Sequence, residues 1–214
     1  VYTSSHAHSS VDKAAITLGF GHENVVHIDT DVDFRMRVDA LDAAVRADRA
    51  AGYLPLATVA TVGTTSTTSI DPVPAIAALC AREDMWLHVD GSYGGVAAVV
   101  PEMRHVLAGV ELADSLVVNP HKWLFTPIDL SAMFTRRPDV LKRAFSLVPE
   151  YLVTREQSEV VNLMDYGVQL GRRFRALKLW MVIRAFGAEG LAARLRQQME
   201  MARDFAGWVD AAAD

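Results

Sequence analysis

This sequence predicts an α/β fold with a mostly parallel sheet covered by helices on both faces, and three observations support it. Short apolar runs alternate with stretches of helical spacing along most of the chain, the pattern of repeated βαβ units. Three of those runs end on polar residues, Thr61, Asp90 and Asn119, with 29 positions from each to the next. That interval matches one βαβ unit of about 30 residues. No internal repeat or low-complexity linker breaks the alternation.

The elements follow in order. Val1 to Ser5 reads as a strand. His8-Ser9-Ser10 supplies N-cap residues for a helix over about 10–19, which ends before Gly19 and Gly21. Val25 to Ile28 is a short strand. Leu41, Ala44, Val45 and Asp48 give helical spacing over 38–51, stopped by Gly52. Leu54 to Thr61 is a strand despite Pro55. Asp71-Pro72 opens a helix that runs to Arg82, with proline in the first turn. Trp86 to Asp90 and Ser115 to Asn119 are strands. Ser131 to Phe134 returns too soon for a helical crossover, so it is expected to be antiparallel. Arg172 to Asp210 reads as two helices meeting near Gly187–Gly190, with Leu177, Trp180, Met181 and Arg184 marking the buried side of the first. The chain opens inside a strand without a methionine and stops in an alanine-rich helix, so a piece of a longer polypeptide is expected.

Bulk properties narrow the function. Of 214 residues, 51% are hydrophobic and 22% charged, enough to bury a sizeable core. The net charge is −5 and the 21 Lys and Arg are dispersed, which argues against nucleic acid or an anionic membrane as partner. No apolar run reaches the ~18 residues of a membrane span. The single cysteine, Cys80, lies in an apolar helical pattern with Ile76 and Leu79 and reads as a core residue. A reducing cytoplasm is therefore expected.

In parallel sheets of this kind ligands bind at the carboxyl ends of the strands. Thr61, Asp90 and Asn119 should converge there, joined by Lys122 in Asn119-Pro120-His121-Lys122-Trp123. Proline ends the strand, and Trp123, Leu124 and Phe125 surround the lysine with apolar side chains. An apolar setting destabilises an ammonium, lowers its pKa and frees the amine as a nucleophile for a Schiff base. Pyridoxal 5′-phosphate fits such a site, because it also needs a carboxylate at its pyridine nitrogen and donors for its phosphate. Asp90 would serve the first need, and Asn119, His121 and backbone amides the second.

Six blocks in order then carry a family resemblance: Ala7-His8-Ser9-Ser10, Val59 to Thr65, Trp86 to Asp90, Pro101 to His105, Asn119 to Trp123, and Leu170 to Arg175. The chain resembles the group II pyridoxal-phosphate amino-acid decarboxylases, most nearly the aromatic-L-amino-acid branch. The resemblance implies the large domain of a fold type I enzyme over residues 1–179 and the start of a small C-terminal domain over 180–214. It implies decarboxylation of an aromatic L-amino acid by a homodimer with its sites at the subunit interface. Lys122 would be the Schiff-base lysine, Asp90 the partner of the pyridine nitrogen, and His8 the imidazole stacked on the ring. Thr61 would lie near the ring oxygen, and Asn119 and His121 near the phosphate end and the lysine. Tyr151 would be the mobile-loop residue that protonates Cα after CO₂ leaves, with His8 as a relay. Gly91-Ser92 stands where many relatives have Ala-Ala, so Ser92 would bring a hydroxyl beside the ring and Gly91 would loosen the backbone.

Other readings stay open. Trp123 speaks against a glutamate-type enzyme, and Tyr151 against an aldehyde-forming relative, which has Phe there. A non-catalytic module that keeps the fold is a further class. His88 and Asp90 share a strand face as residues i and i+2, but no further metal ligand lies at supporting spacing, so no metal is expected. The glycines at 91, 94 and 95 do not form a dinucleotide-binding fingerprint.

Overall fold

The computed structural model of the chain describes residues 1–147 and 161–212. Six strands form one sheet: β1 (Tyr2–Ser4), β2 (Val26–Ile28), β3 (Ala57–Thr61), β4 (Trp86–Asp90), β5 (Ser115–Val118) and β6 (Ala132–Thr135). Their spatial order is β2-β1-β3-β4-β5-β6. The first five run parallel, and β6 pairs antiparallel with β5, as its short connection required. β3 is shorter than expected. Pro55 has no amide to donate, and pairing with β4 begins where the Leu56 carbonyl accepts the Trp86 N–H at 2.9 Å.

Helices α1 (Ser10–Thr17), α2 (Val38–Ala50) and α3 (Val73–Arg82) fall where apolar spacing placed them. Alternation along the strands separates two faces. Ala60, Leu87 and Val89 point into a core shared with Leu41 and Val45 of α2 and with Ile76, Leu79 and Cys80 of α3. Cys80 is a buried core thiol, and burial pushes its pKa up. The opposite face, carrying Val59, His88 and Asp90, lies towards α1. Between β4 and β5 the chain runs through three 3-10 helices from Gly94 to Leu112, which have no apolar period to announce them.

One close approach fixes the segment after β4. The Gly94 N–H donates to the Val62 carbonyl at 3.2 Å, and a Cβ on Gly94 would sit 2.6 Å from that oxygen. Gly94→Ala is expected to destabilise the protein by about 1–3 kcal/mol, the usual cost of overpacking. A denaturation midpoint equal to that of the parent would show that this segment can lift off β3.

The short helices α4 (Pro120–Trp123) and α5 (Pro138–Phe145) precede the long α6 (Arg175–Ala211), which bends at Gly187 with φ 65°. Two helical halves meeting there agree with the sequence reading, but the buried side does not. Leu177, Trp180, Met181 and Arg184 are exposed, Trp180 at 56%. The buried residues are Leu191, Ala192 and Leu195 in the second half, packed on Val96, Val100 and Leu124. The first half meets that same cluster through Leu179 and Val182, a different side from the one expected: spacing marks a face able to be buried, not which face the fold covers.

Candidate functional site

Sheet register assembles the site. Thr61 lies opposite Asp90, and Asp90 opposite Val117, with Asn119 two residues beyond. Paired residues in a parallel sheet point to the same face, so Thr61, Asp90 and Val117 form a row at the carboxyl edge. Val59, His88 and Ser115 form the row behind. A cavity of about 560 Å³ lies over this face, lined by Val59, His88, Asp90, Ser92 and Val117 and roofed by α1 residues including Ser10.

Backbone bonds tie the strand ends together. Asp90 Oδ1 accepts the Ser92 N–H at 3.0 Å, which folds the chain back at once. The Gly91 N–H donates to the Val117 carbonyl at 3.0 Å and the Asn119 N–H to the Ser92 carbonyl at 3.2 Å. Gly91 therefore does not loosen the backbone as expected. It is buried, and a Cβ there would lie 3.1 Å from the Val117 oxygen. Ser92 is half-buried on the cavity wall.

Two atoms at this edge want partners. Among the described residues, three buried side-chain polar atoms lack one, and two of them are Thr61 Oγ1 and Asn119 Oδ1. The third, Thr58 Oγ1, lies on the opposite face beside Cys80. A buried polar atom left unpaired costs about 1–3 kcal/mol, so two at one edge mark a place built for something else.

Pro120 starts α4 at the end of β5, and the Lys122 N–H bonds the Asn119 carbonyl at 2.9 Å. Lys122 thus joins the edge, but the apolar enclosure expected around its ammonium is absent from the described residues: Lys122 is exposed. The cause is the direction of its neighbours. Leu124 is buried and Trp123 half-buried, both turned into the protein, and Phe125 faces outward. Trp123 stacks on Tyr93 with centroids 5.2 Å apart and donates its indole N–H to Gln198 of α6 at 2.6 Å. That clamp holds the turn bearing Lys122 against the segment following Asp90.

His121 Nδ1 lies 2.6 Å from the Leu130 carbonyl and 2.9 Å from the Leu130 amide, leaving Nε2 as its free nitrogen. His8 is exposed just before α1, where its Nδ1 accepts the Ser10 N–H at 3.1 Å and caps the helix in place of Ser9; it is not among the residues lining the cavity. Tyr151 lies outside the described residues. Among the described residues no group of three His, Cys, Asp or Glu could hold a metal.

One supporting residue escaped the sequence reading. Asp71, 2% exposed, accepts the N–H of Thr61 at 2.8 Å and of Met36 at 2.7 Å. Burial pushes its carboxyl above the usual range, and those two amides only partly oppose the shift. Its sole sequence signal, Asp before Pro, reads equally well as a helix opening.

Comparison with known proteins gives this arrangement a family. Residues 1–214 match the model of the pyridoxal-dependent decarboxylase conserved domain. The aromatic-L-amino-acid decarboxylase of Sus scrofa is 43% identical over 210 residues, 97% of this chain and 43% of that protein. The crystal structure of Oryza sativa TDC with PLP and tryptamine superposes with a TM-score of 0.91 at 41% identity, over 95% of this chain and 42% of that one. Rhodiola rosea 4-hydroxyphenylacetaldehyde synthase superposes with a TM-score of 0.90 at 35% identity, over 99% and 43%. The chain thus spans less than half the length of these relatives. The fold is the α/β fold of these PLP enzymes, and the chain belongs to the pyridoxal-dependent decarboxylase family.

Proposed function

We propose that the protein containing this chain decarboxylates an aromatic L-amino acid to its amine and CO₂ with pyridoxal 5′-phosphate. One observation carries this reading: Asp90, Thr61, Asn119 and the Lys122 turn meet at the carboxyl edge of three adjacent strands, with two buried polar atoms left unpaired. The residues fit the cofactor. Asp90 offers a carboxylate with one oxygen engaged by Ser92, leaving the other for a protonated pyridine nitrogen. Thr61 Oγ1 can meet a ring oxygen. Asn119 Oδ1, being an acceptor, calls for a donor such as an ammonium, while the amide nitrogen of Asn119 and Nε2 of His121 can face phosphate.

When bound, the cofactor supplies an electron sink for the pair released as the Cα–carboxylate bond breaks. The chain's own residues do the rest. Lys122 would hold the cofactor through its amine. Asp90 would keep the ring nitrogen protonated, Ser92 lines the cavity wall near Asp90, and His8 would orient the ring and the substrate. Tyr151 returns a proton to Cα, with His8 as relay. Residues 1–179 belong to the cofactor-binding large domain and 180–214 open the small domain, α6 spanning the two. The aromatic branch rests on the Sus scrofa relative and on Trp123. A cytoplasmic homodimer completes the reading; no helix among the described residues is long and apolar enough to cross a membrane.

The test incubates the full-length protein with Tyr, Trp, Dopa, Glu and His and measures CO₂ and amine. Amine from Trp, Tyr or Dopa is expected. Amine from Glu alone would overturn the aromatic assignment, and aldehyde in place of amine would favour an activity like that named for the Rhodiola rosea enzyme. The exposure of Lys122 favours a second statement: this stretch of chain alone binds cofactor weakly and does not turn over.

A further inference from the structure

Behind Asp90 runs a hydrogen-bond chain that the site as described does not use. Trp86 Nε1 lies 2.9 Å and His88 Nδ1 2.8 Å from the same atom, Ser115 Oγ. All three side chains lie on the α1 face: His88 and Ser115 are paired in the row next to Asp90, and Trp86 lies one row further back on β4. The protons on this chain can be assigned by elimination. An indole N–H only donates, so Ser115 Oγ accepts from Trp86. Ser115 is 4% exposed, and its hydroxyl proton has one acceptor in reach, His88 Nδ1. Were Nδ1 itself protonated, that buried hydroxyl would have nowhere to donate and would be left unpaired away from water. His88 therefore carries its proton on Nε2 and is neutral.

We propose that Trp86, Ser115 and His88 form a charge-state lock, holding His88 as the neutral Nε2–H imidazole so that Asp90 reserves its carboxylate for the pyridine nitrogen. This rests on the cofactor reading of the same site. Two residues apart on one strand face, a protonated His88 would compete for the charge of Asp90. Among the described residues, His88 and Asp90 are the only titratable side chains lining the cavity, which the Val1 amino group also borders; β3 presents Val59 to them, and α1 presents Ser10, Val11 and Ala14. The guanidinium of Arg137, 5.9 Å from the Trp86 ring, is the charge at the far end of the chain. Burial also pushes the His88 imidazole below its usual pKa, against a smaller opposing pull from Asp90. His88 is thus a positioning residue, acting through Asp90.

The experiment uses full-length protein labelled with ¹⁵N-histidine and freed of cofactor. Between about pH 6 and pH 8, where an ordinary histidine titrates, His88 is expected to show a bare Nδ1 and a protonated Nε2 throughout. Ser115→Ala should release the lock, so that His88 titrates in that range. Its binding of pyridoxal phosphate should weaken by roughly 10-fold at the acid end and less at the alkaline end, as expected for one lost hydrogen bond to a charged site. Ser115→Thr, which keeps the hydroxyl, should restore both. An imidazolium or an Nδ1–H form of His88 in the parent protein overturns the lock, whether or not the variants fold. So does a folded Ser115→Ala whose pH profile is unchanged. A parent protein that binds no pyridoxal phosphate defeats the cofactor reading instead, whatever the histidine spectrum shows.

Discussion

Replacing Lys122 with alanine in the full-length protein is expected to abolish the visible absorbance of bound pyridoxal phosphate. Decarboxylation should fall by roughly 10⁴-fold or more, the scale seen when a nucleophile that acts together with its partners is removed. The size of the effect follows from the geometry. Lys122 is the one lysine carried on the turn after β5, where the Asn119 carbonyl accepts its backbone N–H. Lys13, Lys142 and Lys178 sit on α1, α5 and α6. Lys122→Arg should fail as completely as the alanine variant, since a guanidinium keeps the charge but is never deprotonated to attack a carbonyl. Lys13→Ala should keep both spectrum and rate. An alanine variant at 122 that still absorbs would transfer the cofactor to another amine and dismantle the assignment.

Which parts of this site could be read in advance depended on how local their causes are. The carboxyl-edge convergence was legible because each member ends its own apolar run, and regular βαβ spacing brings such ends together. β4 matches its expected span, Trp86 to Asp90, and β6 runs antiparallel because its link to β5 is too short to cross over. The exposure of Lys122 was not legible from Trp123, Leu124 and Phe125. Adjacent residues on one helical turn point in different directions, so apolar neighbours in sequence do not bury each other. The first half of α6 is the same lesson on a larger scale: amphipathic spacing records a capacity for burial, while the fold covers Leu179 and Val182 and leaves Leu177, Trp180 and Met181 exposed. The Trp86–Ser115–His88 chain needed the register of β4 against β5 before its atoms could be seen to meet. Asp71 was hidden more deeply, because its partners are backbone amides 10 and 35 residues away, and any residue type could supply them.

Asp71→Ala is expected to produce the second large effect, a local destabilisation of about 3–5 kcal/mol. Each of the buried amides of Thr61 and Met36 loses a charged acceptor, and such bonds are worth about 1.5–3 kcal/mol apiece. The end of β3 should therefore open more readily. Amide exchange at Thr61 in the full-length protein should speed up by roughly 100-fold or more, since about 1.4 kcal/mol corresponds to a factor of ten. Asp71→Asn should fall between the parent and the alanine variant, because one of its two oxygens becomes a donor facing a donor. The pH dependence has a definite sign. Burial raises the Asp71 pKa in the folded state above its unfolded value, so between those two values the folded protein holds more protons. Stability from this group consequently rises as pH falls from neutrality through the raised folded pKa, and levels off below the unfolded value near 4. The alanine variant lacks that contribution, so the stability gap between parent and variant should widen on acidification. A gap that widens towards alkaline pH would mean that the two amide bonds outweigh desolvation and hold Asp71 ionised. Unchanged exchange at Thr61 would remove Asp71 from the scaffold of the site altogether.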